Sequence, residues 1–267
     1  MSFQPMLPAS GYAGWVFLNR TLEAQKETFA ESPATARDAE YFTENISEVR
    51  TARDLVSDYR LLKVALGAFG LEDDIDNKYF IQKVLEEGTT AENAFANNLT
   101  DSRYKAFSEA FGFGEGEQRR TSIIGFAEGI VSDYEDRQFE VAVGEQNEDY
   151  RLALDTQRAL SAIAADDLSD DGMWYSVMGS TPLRTVFETA FGLPDTFSSL
   201  DLDDQLEVFR DKAAKMFGDG EVSQFTDTDR LDELVKTFLL RSELDDVPTG
   251  LSSSSIALTL LGGAGLG

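Results

Sequence analysis

One helical module occurs twice in this chain. Leu62-Lys-Val-Ala-Leu-Gly-Ala-Phe-Gly-Leu71 is echoed by Leu183-Arg-Thr-Val-Phe-Glu-Thr-Ala-Phe-Gly-Leu193. Each copy leads through an acidic stretch into a second helical pattern, Lys78 to Glu86 in the first and Asp203 to Phe217 in the second. Each then reaches a Thr-Asp-Ser/Thr start, Thr100-Asp101-Ser102 or Thr226-Asp227-Thr228, that opens a further amphipathic run. A shorter echo, Ala110-Phe111-Gly112, closes the first module. Self-similarity on this scale points to a scaffold of repeated helical units. Strand signals are scarce, with no sustained period-two alternation and no Asn-Gly hairpin. The expected fold class is therefore all-α, a helical bundle built from two related multi-helix modules with a long helical region between them.

The organisation follows from helix signals. Residues 1–116 read as an N-terminal arm, with Pro5, Pro8, Gly11 and Gly14, followed by the first module. Its stripe of Leu55, Tyr59, Leu62, Leu66 and Phe69 starts at the capping box Thr51-x-x-Asp54 and ends at Gly70, a left-handed C-cap candidate. Thr89-x-x-Glu92 reads as another capping box, starting a short helix through Phe95. Gly112-x-Gly114-x-Gly116 reads as a flexible joint. Residues 117–166 form the long helical connector, although Gly125, Gly129 and Gly144 argue against one unbroken rod. The second module covers 167–244, with Pro182 at a helix start. Residues 245–267, with Pro248, four consecutive serines and Gly-Gly-Ala-Gly, read as a flexible tail. Phe69, Phe107, Phe111, Phe187, Phe191 and Phe209, at helical spacing, read as core.

Composition removes whole classes of chemistry. The 267 residues contain no histidine and no cysteine. Ser-His-Asp and Cys-His catalysis, redox dithiols and His/Cys zinc sites therefore have no side chains to use. A net charge of −26 repels nucleic-acid phosphates and anionic membrane surfaces. No stretch approaches the apolar length of a membrane span, and the N-terminus shows no cleavable signal peptide. The absence of cysteine fits a cytoplasmic protein and equally one exported through a narrow, flagellar-type secretion route.

Three patterns resemble active chemistry. Asp167-Leu-Ser169-Asp-Asp171-Gly172 matches the first half of a calcium loop, but its twelfth position is Met178, so it reads as an acidic turn. Glu72-Asp73-Asp74-Ile-Asp76 and Asp201-Leu-Asp203-Asp204 are carboxylate clusters of the kind glycoside hydrolysis uses. Both lie just before helical patterns and read as helix caps. The glycines from Gly112 to Gly116 lack the preceding strand and following Lys-Ser/Thr of a phosphate loop. No catalytic residue, cofactor or metal is expected. Trp15 and Trp174, in Gly-rich or polar surroundings, and Ile256, Leu258 and Leu260 of the tail are the candidate partner-binding residues, with Phe3, Met6, Leu7 and Tyr12 of the arm beside them.

Longer runs resemble a known family. Gly11-Tyr-Ala-Gly-Trp15-x-Phe-Leu18, Tyr41-Phe-Thr-Glu-Asn45-Ile46, Asp54-Leu-Val-Ser-Asp58-Tyr-Arg60-Leu-Leu62, Phe80-Ile-Gln-Lys-Val84-Leu-Glu-Glu-Gly88, Trp174-Tyr-x-Val-Met178-Gly and Pro182-Leu-Arg184-x-Val-Phe187 to Pro194 resemble an alphaproteobacterial family described as a domain of unknown function. Its members often stand beside flagellar genes. The resemblance implies an all-helical, soluble bacterial protein with a flagellar association, and it brings no activity or site residues. The functional expectation is a non-enzymatic, flagellum-associated structural or assembly component whose partner is a flagellar component or a second copy. The alternatives are a cytosolic chaperone or adaptor for an exported protein and a carboxylate-based hydrolase.

Overall fold

A computed structural model describes residues 3–165 and 168–245, and all of its regular structure is helical. The twelve α-helices among the described residues are α1 (Gly11–Ala30), α2 (Pro33–Asn45), α3 (Ala52–Ser57), α4 (Tyr59–Phe69), α5 (Lys78–Glu87), α6 (Ser102–Phe111), α7 (Phe126–Gly144), α8 (Glu148–Ala165), α9 (Asp170–Gly179), α10 (Thr181–Phe191), α11 (Leu202–Phe217) and α12 (Thr228–Asp245). The chain divides into two compact units. Among the described residues the first comprises residues 3–8 with Gly14–Arg151, and the second Ala9–Ala13 with residues 152–165 and 168–245.

In the first unit α4 is the central helix. Leu61, Leu62, Val64, Ala65, Leu66, Gly67 and Ala68 are all buried, so the helix has almost no wet face. Asp58 caps its start, its Oδ1 accepting the Arg60 and Leu61 amides at 2.9 and 3.1 Å. The expected capping box at Thr51 and Asp54 is present at the start of α3. α7 packs so tightly on α4 that a β-carbon at Gly67 would lie 2.7 Å from the Tyr134 ring. Ile130 and Tyr134 of α7 thereby join the same core as Phe107 and Phe111 of α6. Residues 121–165 form no single rod. Gly125, at φ 87°, starts α7, and the chain breaks at Glu145–Asn147 before α8.

The second unit is built on aromatic rings. Trp174, Phe187, Phe191 and Phe209 are fully or almost fully buried, and each ring meets at least one other at centroid distances of 5.3–6.3 Å. Mostly edge-to-face pairs of this kind add about 0.5–1.5 kcal/mol each beyond area burial.

Both expected Phe-Gly-Leu helix ends are found. Gly70 (φ 66°) ends α4 and Gly192 (φ 62°) ends α10 in the left-handed conformation, and the Leu71 and Leu193 amides donate back to Leu66 and Glu188 at 2.9 Å. Cations from other helices cover these ends. Arg137 Nε donates to the Ala68 carbonyl at 2.8 Å, and Arg103 donates to the Gly70 carbonyl. Lys212 Nζ donates to the Phe191 carbonyl at 3.1 Å, and the Arg241 guanidinium lies against Gly192. The order helix, Gly turn, 3-10 turn, helix, 3-10 turn, helix holds from α4 to α6 and from α10 to α12.

Three sequence expectations change. No helix starts at Thr89, because its amide donates to Glu117 Oε1 at 2.6 Å, and residues 89–94 are irregular before a 3-10 turn at Phe95–Asn98. The acidic clusters are not side-chain caps. Asn77 and not an acid holds the N-cap position of α5, while Asp74 accepts from Asn77 Nδ2 at 2.7 Å and from the Tyr104 hydroxyl. Burial and that Asp74 bond push the Tyr104 phenol up to about 12. Asp201 stands at the N-cap position of α11 without a side-chain bond, and Asp203 accepts from the Tyr175 hydroxyl at 3.0 Å. The N-terminal arm is docked. Met6 N donates to Gln25 Oε1 at 2.7 Å, Gln146 donates to the Pro5 carbonyl at 2.8 Å, and the Phe3 ring meets Phe29. Its helix starts at Gly11, ahead of Trp15.

A side chain at either helix-ending glycine meets both φ strain and the covering cation, a β-carbon at Gly70 lying 2.7 Å from Arg137 Nη1. Gly70→Val and Gly192→Val are each expected to destabilise by at least about 1–2 kcal/mol, measured by urea denaturation followed by circular dichroism. Unchanged midpoints would contradict this reading of the two helix ends.

Candidate binding cleft

Two backbones cross where the sequence places glycines. A β-carbon at Gly88 would lie 2.7 Å from the Gly114 Cα, so the segment after α5 and the loop after α6 touch main chain to main chain. Glu117 secures this crossing. Its Oε1 accepts the Thr89 and Thr90 amides at 2.6 and 3.2 Å and the Thr90 hydroxyl at 3.1 Å, and its Oε2 faces the Gly114 amide at 3.3 Å. Burial opposes ionisation of this carboxyl, but the Thr89, Thr90 and Gly114 donors outweigh it and hold Glu117 below its ordinary range. The rest of the loop is tied as well. Arg119 Nη1 and the Thr121 hydroxyl both donate to the Val49 carbonyl, at 3.0 and 2.8 Å, and the Arg120 amide donates to the Phe111 carbonyl at 3.1 Å. The run from Gly112 to Gly116, expected as a flexible joint, is thus a fixed loop whose glycines permit close backbone approach.

The fixed loop and α6 enclose a cleft of about 880 Å³ in the first unit. Ala106 and Ala110, one turn apart on α6, leave its floor open, and Ile123 and Phe126 give it an apolar wall, with Arg120 at the rim. Ile123 is 46% exposed and the neighbouring Ile124 is 100% exposed. The charged residues that line the cleft are Glu109, Glu117 and Arg120, a net −1, so a neutral segment enters it without adding like charge.

The residues singled out from sequence lie elsewhere. Trp15 is buried beside Tyr150 at 6.1 Å between ring centroids, and Trp174 is fully buried with Nε1 donating to the Gly220 carbonyl at 2.8 Å. Both indoles are core side chains. Of the arm residues, Met6 is exposed, Phe3 and Leu7 are half-buried, and Tyr12 is half-buried with the Lys236 ammonium over its ring. Ile256, Leu258 and Leu260 lie outside the described residues. Asp167 of the calcium-like motif also lies outside them. Its neighbour Ser169 caps α9 by accepting the Gly172 amide at 3.1 Å, and Asp171 pairs with Arg210 at 2.7 Å. Among the described residues no group of three or more Asp or Glu is placed to hold a metal ion. No helix of the described residues is long and apolar enough to cross a membrane. Sequence reasoning missed Glu117, Ile123 and Ile124. Ile123 stands at helical spacing with Phe126, Ile130 and Tyr134 and reads from sequence as part of a helix face, but α7 starts only at Phe126 after the left-handed Gly125.

Because the folded pKa of Glu117 is depressed, its hold on the loop is present above the ordinary glutamate range, near 4.3, and is lost as pH falls through the lowered value. Hydrogen exchange of the Thr89, Thr90 and Gly114 amides is expected to accelerate below that range, and Glu117→Gln to accelerate it already at neutral pH. Equal protection in the variant and the parent chain would rule out this role.

The crystal structure of protein AGR_C_984 from Agrobacterium tumefaciens is similar to this fold, with a TM-score of 0.74 and 26% identity over 91% of this chain and 100% of that one. Comparison with curated proteins found no match. The family described as Protein of unknown function (DUF1217) matches residues 68–231, which include α5 to α11 and the whole cleft-forming loop. That match spans more than half of the sequence, and the chain belongs to the DUF1217 family.

Proposed function

We propose that this protein is a non-enzymatic, protein-binding component of flagellar structure or assembly. The observation that carries the binding reading is the cleft of the first unit with Ile123 and Ile124 beside it. A fully exposed isoleucine next to an apolar-walled concavity is the arrangement of an interface anchor and its pocket. The flagellar setting is supplied by the sequence resemblance. Of the acidic clusters that could serve a hydrolase, Asp74 accepts from Asn77 and the Tyr104 hydroxyl and Asp203 from the Tyr175 hydroxyl. Asp58 and Asp101 cap helices and are held ionised, Glu117 is held ionised by loop amides, and Glu109 faces Lys105 at 3.8 Å. A hydrolase needs two carboxyl groups with separated pKa values in one pocket, and of the cleft's two, Glu117 is held ionised by loop amides and Glu109 pairs with Lys105.

The test is genetic. Deletion of the gene is expected to reduce swimming in the source organism, and the parent gene to restore it. Ile124→Asp alters a wholly exposed side chain, a change that costs about 0.5 kcal/mol or less in stability. It is expected to restore swimming poorly, whereas Tyr79→Ala, at another exposed site, restores it fully. Full restoration by Ile124→Asp, or normal swimming of the deletion strain, would overturn the proposal.

A further inference from the structure

We infer that the cleft of one copy takes the apolar segment Ile256-Ala-Leu-Thr-Leu-Leu261 of a second copy, an inference that rests on the binding reading above. Twenty-two residues follow Asp245, the last described residue, and the twenty-one from Val247 to Gly267 include no charged side chain. Two chains of net charge −26 repel one another, so a contact between copies forms most readily through a segment that adds no charge. The charged residues that line the cleft, Glu109, Glu117 and Arg120, sum to −1, so the cleft disfavours an acidic segment of another copy. A neutral segment enters it without leaving a buried charge unpaired.

Beside the polar Thr89, Thr90, Glu109, Glu117 and Gln118, part of the lining fits such a segment. Ala106 and Ala110 project only methyl groups, which leaves room for Leu or Ile side chains on the floor, and Ile123 and Phe126 form the wall they contact. The Arg120 guanidinium makes no side-chain hydrogen bond or ion pair among the described residues, and its N–H groups are suited to the carbonyls of an extended peptide. A volume of about 880 Å³ lies within the range of ligand clefts. Exchange of segments between copies links them into open assemblies or, when reciprocal, closes a two-fold pair.

The chain contains no cysteine, so single introduced cysteines report only the intended contact. Full-length Ala106→Cys protein mixed with full-length Leu258→Cys protein and mildly oxidised is expected to give the mixed disulfide-linked dimer. Its yield should be several-fold above that from Glu23→Cys, an exposed control on α1, mixed with the same partner. Adding Leu260→Asp to the Leu258→Cys chain, or Ile123→Asp to the Ala106→Cys chain, should bring the yield down to the control level. Circular dichroism confirms that each variant is folded. Equal yields at the cleft and control positions, or yields indifferent to Leu260→Asp, would overturn the inference. So would a doubly substituted Ala106→Cys/Leu258→Cys chain that cross-links only within itself at every concentration. If cross-linking fails while Ile124→Asp still impairs swimming, the cleft binds a different protein and only this inference falls.

Discussion

At the carbonyl end of α4 the Ala68 and Gly70 oxygens meet the guanidinium groups of Arg137 and Arg103, and the end of α10 meets Lys212 and Arg241. A helix C-terminus carries roughly half a negative charge on its unpaired carbonyls. Carboxylates outnumber cations 49 to 23 in this chain, so such an end left bare adds to an existing excess. Neither helix has a basic residue in its own last turn. The cations come instead from α6 and α7 in one unit and from α11 and α12 in the other, so each neutralised end also ties three helices together. The left-handed glycine makes this geometry possible, because it turns the chain away and leaves the carbonyls open to the approaching side chains.

That arrangement explains which parts of the fold were legible in the sequence. The Phe-Gly-Leu steps were readable because a left-handed C-cap needs glycine and the phenylalanine before it follows the apolar stripe. Thr51-x-x-Asp54, the Asp101 start and Pro182 were readable because capping is local. The cations over the helix ends were not, since their partners are distant in sequence, as Arg137 is from Ala68. The same distance misled the reading of Thr89-x-x-Glu92. A local motif predicts a capping box there, but Glu117, twenty-eight residues on, takes the Thr89 amide. Trp15 and Trp174 were misplaced because a polar neighbourhood in sequence says little about burial, and Trp174 meets its polar need at the Gly220 carbonyl.

The cleft shows the same logic applied to function. Gly88 and Gly114 let two backbones touch, Glu117 collects the amides that the crossing frees, and the loop is fixed so that Ile123 and Ile124 stand out from it. A rigid loop that presents apolar side chains loses little conformational entropy when it binds.

The central claim is that cations brought from other helices to the C-terminal ends of α4 and α10 hold several helices together. Replacement of Arg137 and Lys212 by Gln, one at a time, tests it most directly against Lys215→Gln and Lys105→Gln, which remove cations from exposed i,i+4 pairs. Urea denaturation of the four variants should show a loss of about 1–3 kcal/mol for each of the first two, the scale of a hydrogen bond to a charged group. The exposed pairs should each change stability by about 0.5 kcal/mol or less. Four equal losses would mean that only the overall charge matters, and would contradict the account.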